Sequence, residues 1–320
     1  MYPLLLKAPV KDYLWGGTRL KTEYGFETEA EKAAEAWVLS CHRDGTCTVE
    51  NGEYSGLPLT KVLEKWGSGA LGANAAQFEY FPLLIKLIDA KDRLSVQVHP
   101  DDEYALKNEG EYGKTEMWYV VDCEEGASLI YGFNREVSKE EFERRIKENT
   151  LDKVCNYVPV HKGDVFFIKS GTLHAIGAGI LIAEVQQNSN TTYRVSDYGR
   201  LGADGKPRPL HIEKAVQVTN REKPTLPYGN VGEVETSGSV SRRHLAECRY
   251  FTAELMTVDG LTALRDNDSF VSAVVLSGNA KIVWADGAIS AVKGNSIFIP
   301  AGTAVEISGK AEILLSYIDG

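Results

Sequence analysis

A mainly β fold, built of two jelly-roll-like β-barrel units with a few helices inserted in the first, is what this 320-residue sequence predicts. Three observations lead there. Short runs rich in Val, Ile, Leu, Phe and Tyr recur between Gly, Asn and Asp turns, which is the pattern of a sandwich or barrel. Helical periodicity is confined to a few segments. And the segment 162–176, KGDVFFIKSGTLHAI, is echoed by 293–307, KGNSIFIPAGTAVEI. A unit repeated once at this distance implies two similar domains rather than a solenoid. The second copy carries Val305 where the first has His174, so only the first is equipped to bind a metal.

In chain order, Cys41 to Cys47 reads as two short strands joined by an Arg43–Asp44–Gly45 turn, in preference to a small metal site around His42. Leu59 to Trp66 follows Pro58 with apolar residues at helical spacing. Phe81 to Ile88 and Met117 to Val121 read as strands. Ser138 and Glu141 form a capping box, with Phe142 and Ile146 one turn apart, so the spacing predicts a surface helix over Lys139 to Asn149. Val165 to Ile168, Ile180 to Gln187, Ser272 to Leu276 and Ala311 to Ile318 complete the main strands. The polar stretch Tyr228 to Ser241 is the expected junction, giving a metal-binding domain over 1–235 and a smaller degenerate one over 236–320.

Composition excludes several classes. The net charge of −10 argues against nucleic acid, whose binders need a basic stripe. Five cysteines without a C-x-x-C pair fit a reducing compartment. The apolar run at Met1 to Lys7 is too short for a signal peptide, and no segment approaches the ~20 apolar residues of a membrane span. A cytoplasmic protein without membrane partners, a monomer or weak homo-oligomer, is expected.

The chemistry concentrates in Gln97-Val98-His99-Pro100 and Lys114-Thr115-Glu116-Met117. Residues two apart on a strand share a face, so Gln97 stands beside His99 and Lys114 beside Glu116. Imidazole, carboxylate and amide oxygen are ligands for a divalent cation, and His174 supplies a second imidazole. Glu116 weighs most. An apolar strand rarely buries a carboxylate unless a cation meets it. His161, His211 and His244 lack such company and read as ordinary, and Met117 and Tyr119 as core on the opposite face.

Gly163, Gly171 and His174 occupy the second motif of the cupin superfamily, with Lys169 at the usual proline position that the second copy keeps as Pro300. More specifically, the chain resembles type I mannose-6-phosphate isomerases in their short bacterial form. The match is carried by the two motifs above and by Glu184 through Thr191-Thr192-Tyr193-Arg194-Val195-Ser196-Asp197-Tyr198. Trp15-Gly16-Gly17 and Glu35-Ala36-Trp37 match more weakly, and residues 10 to 215 are covered well. The resemblance implies one zinc ion per chain, bound by Gln97, His99, Glu116 and His174, and an essential arginine at Arg194. With no sulfur ligand, Mn²⁺, Fe²⁺ or Co²⁺ are alternative occupants.

If the turns at Gly177-Ala178-Gly179 and Gln187-Asn188-Ser189-Asn190 close two hairpins centred on Ala178 and Ser189, His174 faces Ile182 and Glu184 faces Arg194. Lys114, Glu184 and Arg194 then line one cationic cleft suited to a sugar phosphate. The expected reaction moves a proton between C2 and C1 through an enediol(ate). Arg194 would steady negative charge, and Lys114 or Glu184 would carry the proton. Two other readings stand beside it: a metal-dependent sugar-binding or regulatory module without turnover, and an Fe-dependent oxygenase. Gln97 in place of a third histidine weighs against the oxygenase.

Overall fold

The computed structural model describes residues 1–202, 205–264 and 268–320. Two antiparallel sheets enclose the first barrel. The six-stranded sheet runs, in spatial order, Val165–Ile168, Glu116–Cys123, Ile180–Gln187, Leu83–Ala90, Glu35–Leu39 and Val10–Lys11. The five-stranded sheet runs Cys155–Pro159, Ser128–Phe133, His174–Ala175, Val96–Val98 and Tyr193–Ser196. Trp118, Val120, Phe166 and Ile182 from the first sheet pack against Leu129, Tyr131, Val158 and Ile176 around the second, which closes the barrel wall.

Strand alternation decides what faces the interior. On Glu116–Cys123, Trp118 and Val120 face inward, while Met117, Tyr119 and Val121 join a core on the outer side of the sheet. Ile180–Gln187 does the same, with Ile180 and Ile182 inward and Leu181, Ala183 and Val185 outward. That outer side is not exposed. Its cluster continues from Leu83, Ile85 and Ala183 into Phe251, Phe270 and Phe298 of the C-terminal half.

The C-terminal half is a nine-stranded sheet dominated by the long strands Phe251–Leu264, Val271–Trp284 and Val305–Tyr317. Leu4–Lys7 pairs with Ser296–Phe298 of that sheet, and on its other side with Thr48–Val49. The start of the chain is thus built into the C-terminal sheet. Val234–Ser237, within the expected junction, forms its far edge against Val240–Cys248.

The internal repeat is structural. Val165–Ile168 and Ser296–Ile299 occupy matching places in the two copies. The flanking glycines share a left-handed backbone: φ is 91° at Gly163 and 94° at Gly294, 84° at Gly171 and 70° at Gly302. A side chain is disfavoured in that region, which is why glycine recurs there. The helix Leu59–Trp66 has the predicted bounds. The other predicted helix spans Lys139–Lys147, where Ser138 accepts from the Glu141 amide at 3.1 Å and the chain leaves helical geometry at Asn149, with φ 54°.

One expectation fails. His174 does not face Ile182, nor Glu184 Arg194. His174 pairs with Gln97 and with Tyr131, and Arg194 pairs with Gln97. Glu184 pairs with Lys86 on one side and Trp118 on the other. The turns at 177–179 and 188–192 carry the chain from one sheet to the other, so neighbours in sequence are not neighbours in a ladder. Gly177 permits the first crossing: a Cβ there would lie 1.7 Å from the Ser128 carbonyl oxygen.

Candidate metal centre and adjoining cavity

The five-stranded sheet brings three of the predicted ligands together. Gln97 sits in the centre of Val96–Val98 and is the direct partner of His174, while His99 immediately follows the strand. Glu116 opens its strand in the facing sheet and approaches from across the barrel. His99, Glu116 and His174 are 1%, 0% and 0% exposed.

Their donor atoms converge. The two Nε2 atoms are 3.1 Å apart. His99 Nε2 lies 3.6 Å from one Glu116 oxygen and His174 Nε2 lies 3.4 Å from the other. Backbone carbonyls settle the tautomers: His99 Nδ1 donates to Thr191 O at 2.9 Å, and His174 Nδ1 donates to Thr172 O at 2.8 Å. Each Nε2 is therefore unprotonated, and the two lone pairs face one another. Glu116 Oε1 is buried without a hydrogen-bond partner among the described residues. Burial, with the charge of Lys114, holds His99 well below the usual imidazole range, and burial takes His174 down to about 4, so both rings are neutral at pH 7. Burial and the neighbouring Glu184 push Glu116 up to about 7, against Lys114 and Lys86.

Opposed lone pairs and an orphaned carboxylate oxygen are unfavourable as they stand and become favourable around a cation. Ligands on one ion with bonds of about 2.0–2.2 Å sit roughly 3.3 Å from each other, which is the spacing found. The residues fit a divalent metal. Gln97 completes the set if its amide turns over: its nitrogen is 3.4 Å from His174 Nε2, while its oxygen accepts from Ser95 Oγ at 3.3 Å. A half-turn of the amide exchanges the two atoms.

Beside the centre lies a cavity of about 260 Å³. Lys114 joins the two, with Nζ 2.6 Å from Glu116, 3.2 Å from His99 Nε2 and 3.7 Å from Glu184. Glu184 accepts from Trp118 Nε1 at 2.9 Å and pairs with Lys86 at 3.1 Å, a row set directly by strand register. Although burial opposes it, Lys114 and Lys86 hold the Glu184 carboxyl down at about 2. Arg194 enters from the other sheet. Its Nη1 donates to Pro209 O at 3.0 Å, and its buried Nε has no partner among the described residues.

Glu184 and Arg194 thus line the same cavity, as expected, but from facing sheets rather than from one hairpin. Sequence reasoning missed Lys86 and Arg208, which also line it, and gave Glu35 no role there. Lys86 carried a legible signal, the one charge in the apolar run 83–88, which is the same cue that singled out Glu116. Arg208 carried none. It reaches the cavity because Asp197 accepts from its Nε at 2.7 Å and its Nη2 at 2.6 Å, a bidentate clamp between loop residues. His211, read as ordinary, accepts from the Arg194 backbone amide at 3.1 Å.

The chain is similar to known proteins over its full length. Residues 4–126 match the family model for the phosphomannose isomerase type I catalytic domain, and residues 241–318 match that for the mannose-6-phosphate isomerase cupin domain. The chain is 37% identical to mannose-6-phosphate isomerase ManA of Bacillus subtilis, over 99% of both chains. It is 38% identical to mannose-6-phosphate isomerase of Streptococcus mutans, over 98% of both. The crystal structure of mannose 6-phosphate isomerase from Bacillus subtilis superposes with a TM-score of 0.92 at 34% identity, covering 99% of this chain and 100% of that one.

Proposed function

Since the chain belongs to the type I mannose-6-phosphate isomerase family, we propose that it interconverts mannose 6-phosphate and fructose 6-phosphate. The observation that carries this reading is the junction at Lys114: a cluster of bare metal donors opens directly onto a cavity holding Lys86, Lys114, Arg194 and Arg208. Binding alone needs no such overlap of an electrophile with mobile protons.

Gln97, His99, Glu116 and His174 would hold the divalent ion, with zinc the occupant that the donor set favours. When bound, it supplies a Lewis acid that polarises a sugar oxygen. The remaining work falls to the chain's own groups. Paired with Lys86 and facing Lys114, which hold its carboxyl below the ordinary range, Glu184 is a weak base, better suited to stay ionised and hold both lysines in place. Lys114, within 4 Å of both carboxylates, is the group placed, in its neutral amine form, to take the proton from C2 and return that same proton to C1. Arg194, with Nε unpartnered among the described residues, meets negative charge on the intermediate, and Arg208 at the same cavity receives the phosphate.

Purified protein mixed with mannose 6-phosphate should form fructose 6-phosphate, and a chelator should abolish this until metal is returned. Arg194→Ala should lower turnover by about 10²–10³ while leaving metal content unchanged. Product formation in the chelated protein, or an R194A enzyme of near-normal turnover, would contradict the assignment.

A further inference from the structure

His42, in the short hairpin Cys41–His42 and Gly45–Thr46, has no part in the site described above and is 5% exposed. Its hydrogen bonds define one tautomer. The Asp44 backbone amide donates to Nδ1 at 3.1 Å, so the proton lies on Nε2, which donates to Glu111 at 3.0 Å. The other Glu111 oxygen accepts from the Thr191 hydroxyl. Thr191 is the residue whose carbonyl accepts from His99 Nδ1 at 2.9 Å. An unbroken chain therefore runs from His42 through Glu111 and Thr191 to a ring whose Nε2 faces the metal centre. The next residue back, Asn190, donates to Asp44 at 2.8 Å, so the hairpin grips this loop at two points.

We propose that His42 is a positioning residue for the metal centre: by orienting Glu111 it fixes the Thr191 carbonyl that sets the tautomer and direction of His99. Resting on the metal reading above, it adds a reason for His42 that lies outside the ligand set. Groups that hold a metal-bound imidazole through its second nitrogen typically matter by about 10–100-fold in metal affinity. Here the support is three bonds long, and each link is a directed donor meeting a single acceptor.

Zinc affinity of the metal-stripped protein, measured by competition with a chromophoric chelator, tests this without reference to turnover. His42→Phe keeps a planar ring but removes the donor to Glu111. His42→Gln restores an amide donor near the position of Nε2. H42F should bind zinc about 10–100-fold more weakly than wild type, and H42Q should recover most of that loss. Wild-type affinity in H42F, or equal loss in H42F and H42Q, overturns the proposal. If H42F does not fold, Thr191→Val cuts the same chain while keeping the carbonyl, and its wild-type affinity would overturn the proposal equally. A wild-type protein that binds no divalent metal would instead remove the metal reading itself.

Discussion

Glu116 is the residue at which physical cost and function meet. A fully buried carboxylate opposite two neutral imidazoles is a poor arrangement for a folded chain and a good one for a cation. Glu116→Gln separates the two. In metal-free protein the substitution removes a buried charge but also the carboxylate 2.6 Å from the buried Lys114 Nζ, so the variant should melt below the wild type. Added zinc should then stabilise the wild type, by about 2.7 kcal/mol at a hundredfold excess over Kd, and leave the variant unmoved. Equal stabilisation of both proteins in a thermal melt would show that Glu116 is no ligand. Period-two spacing made Gln97 and His99 legible as neighbours, the cost of burying a carboxylate in an apolar strand marked Glu116, and the glycine-flanked motif marked His174. Lys86 was equally legible by the rule that marked Glu116. Arg208 was not, since a loop guanidinium has no period to betray its direction.

The element that decides the cavity's rim is the loop after Tyr193–Ser196. Asp197 accepts from Arg200 at 2.6 Å and clamps Arg208 by two bonds, tying both ends of the loop to one carboxylate. Burial pushes its pKa up, yet Arg208 and Arg200 prevail and hold it below the ordinary value. A carboxyl depressed in the folded state contributes stability that is fully present above its unfolded pKa of about 3.9 and is lost as pH falls through the lower folded value. Asp197→Asn should therefore melt earlier than wild type near neutrality, with the difference shrinking below about pH 4. A difference that stays constant across an acid series of thermal melts would contradict the clamp. Strand positions were legible from composition, but the hairpin register at 174–194 was not. Parity across a turn holds only when the flanking strands pair, and here each turn crosses between sheets.

Over the whole molecule, the two halves share strands as well as a core. Leu4 is fully buried in a strand that pairs with Ser296–Phe298, so the first residues of the chain stabilise its last sheet. Leu4→Ala should cost about 2–5 kcal/mol, with the loss seen in denaturant unfolding monitored in both halves; a change confined to one half would argue against this coupling. The internal repeat made the two-unit architecture readable, because paired left-handed glycines leave a mark in sequence. The return of the N-terminal strand left none, since a short apolar run does not name its partner. At this scale the metal centre depends on two sheets delivering donors to one point. An anomalous-difference map from crystals grown with zinc and measured at the zinc edge tests that most directly. It should show one strong peak within bonding distance of His99 Nε2, His174 Nε2 and a Glu116 oxygen. A featureless map at that point, with zinc in the drop, would contradict it.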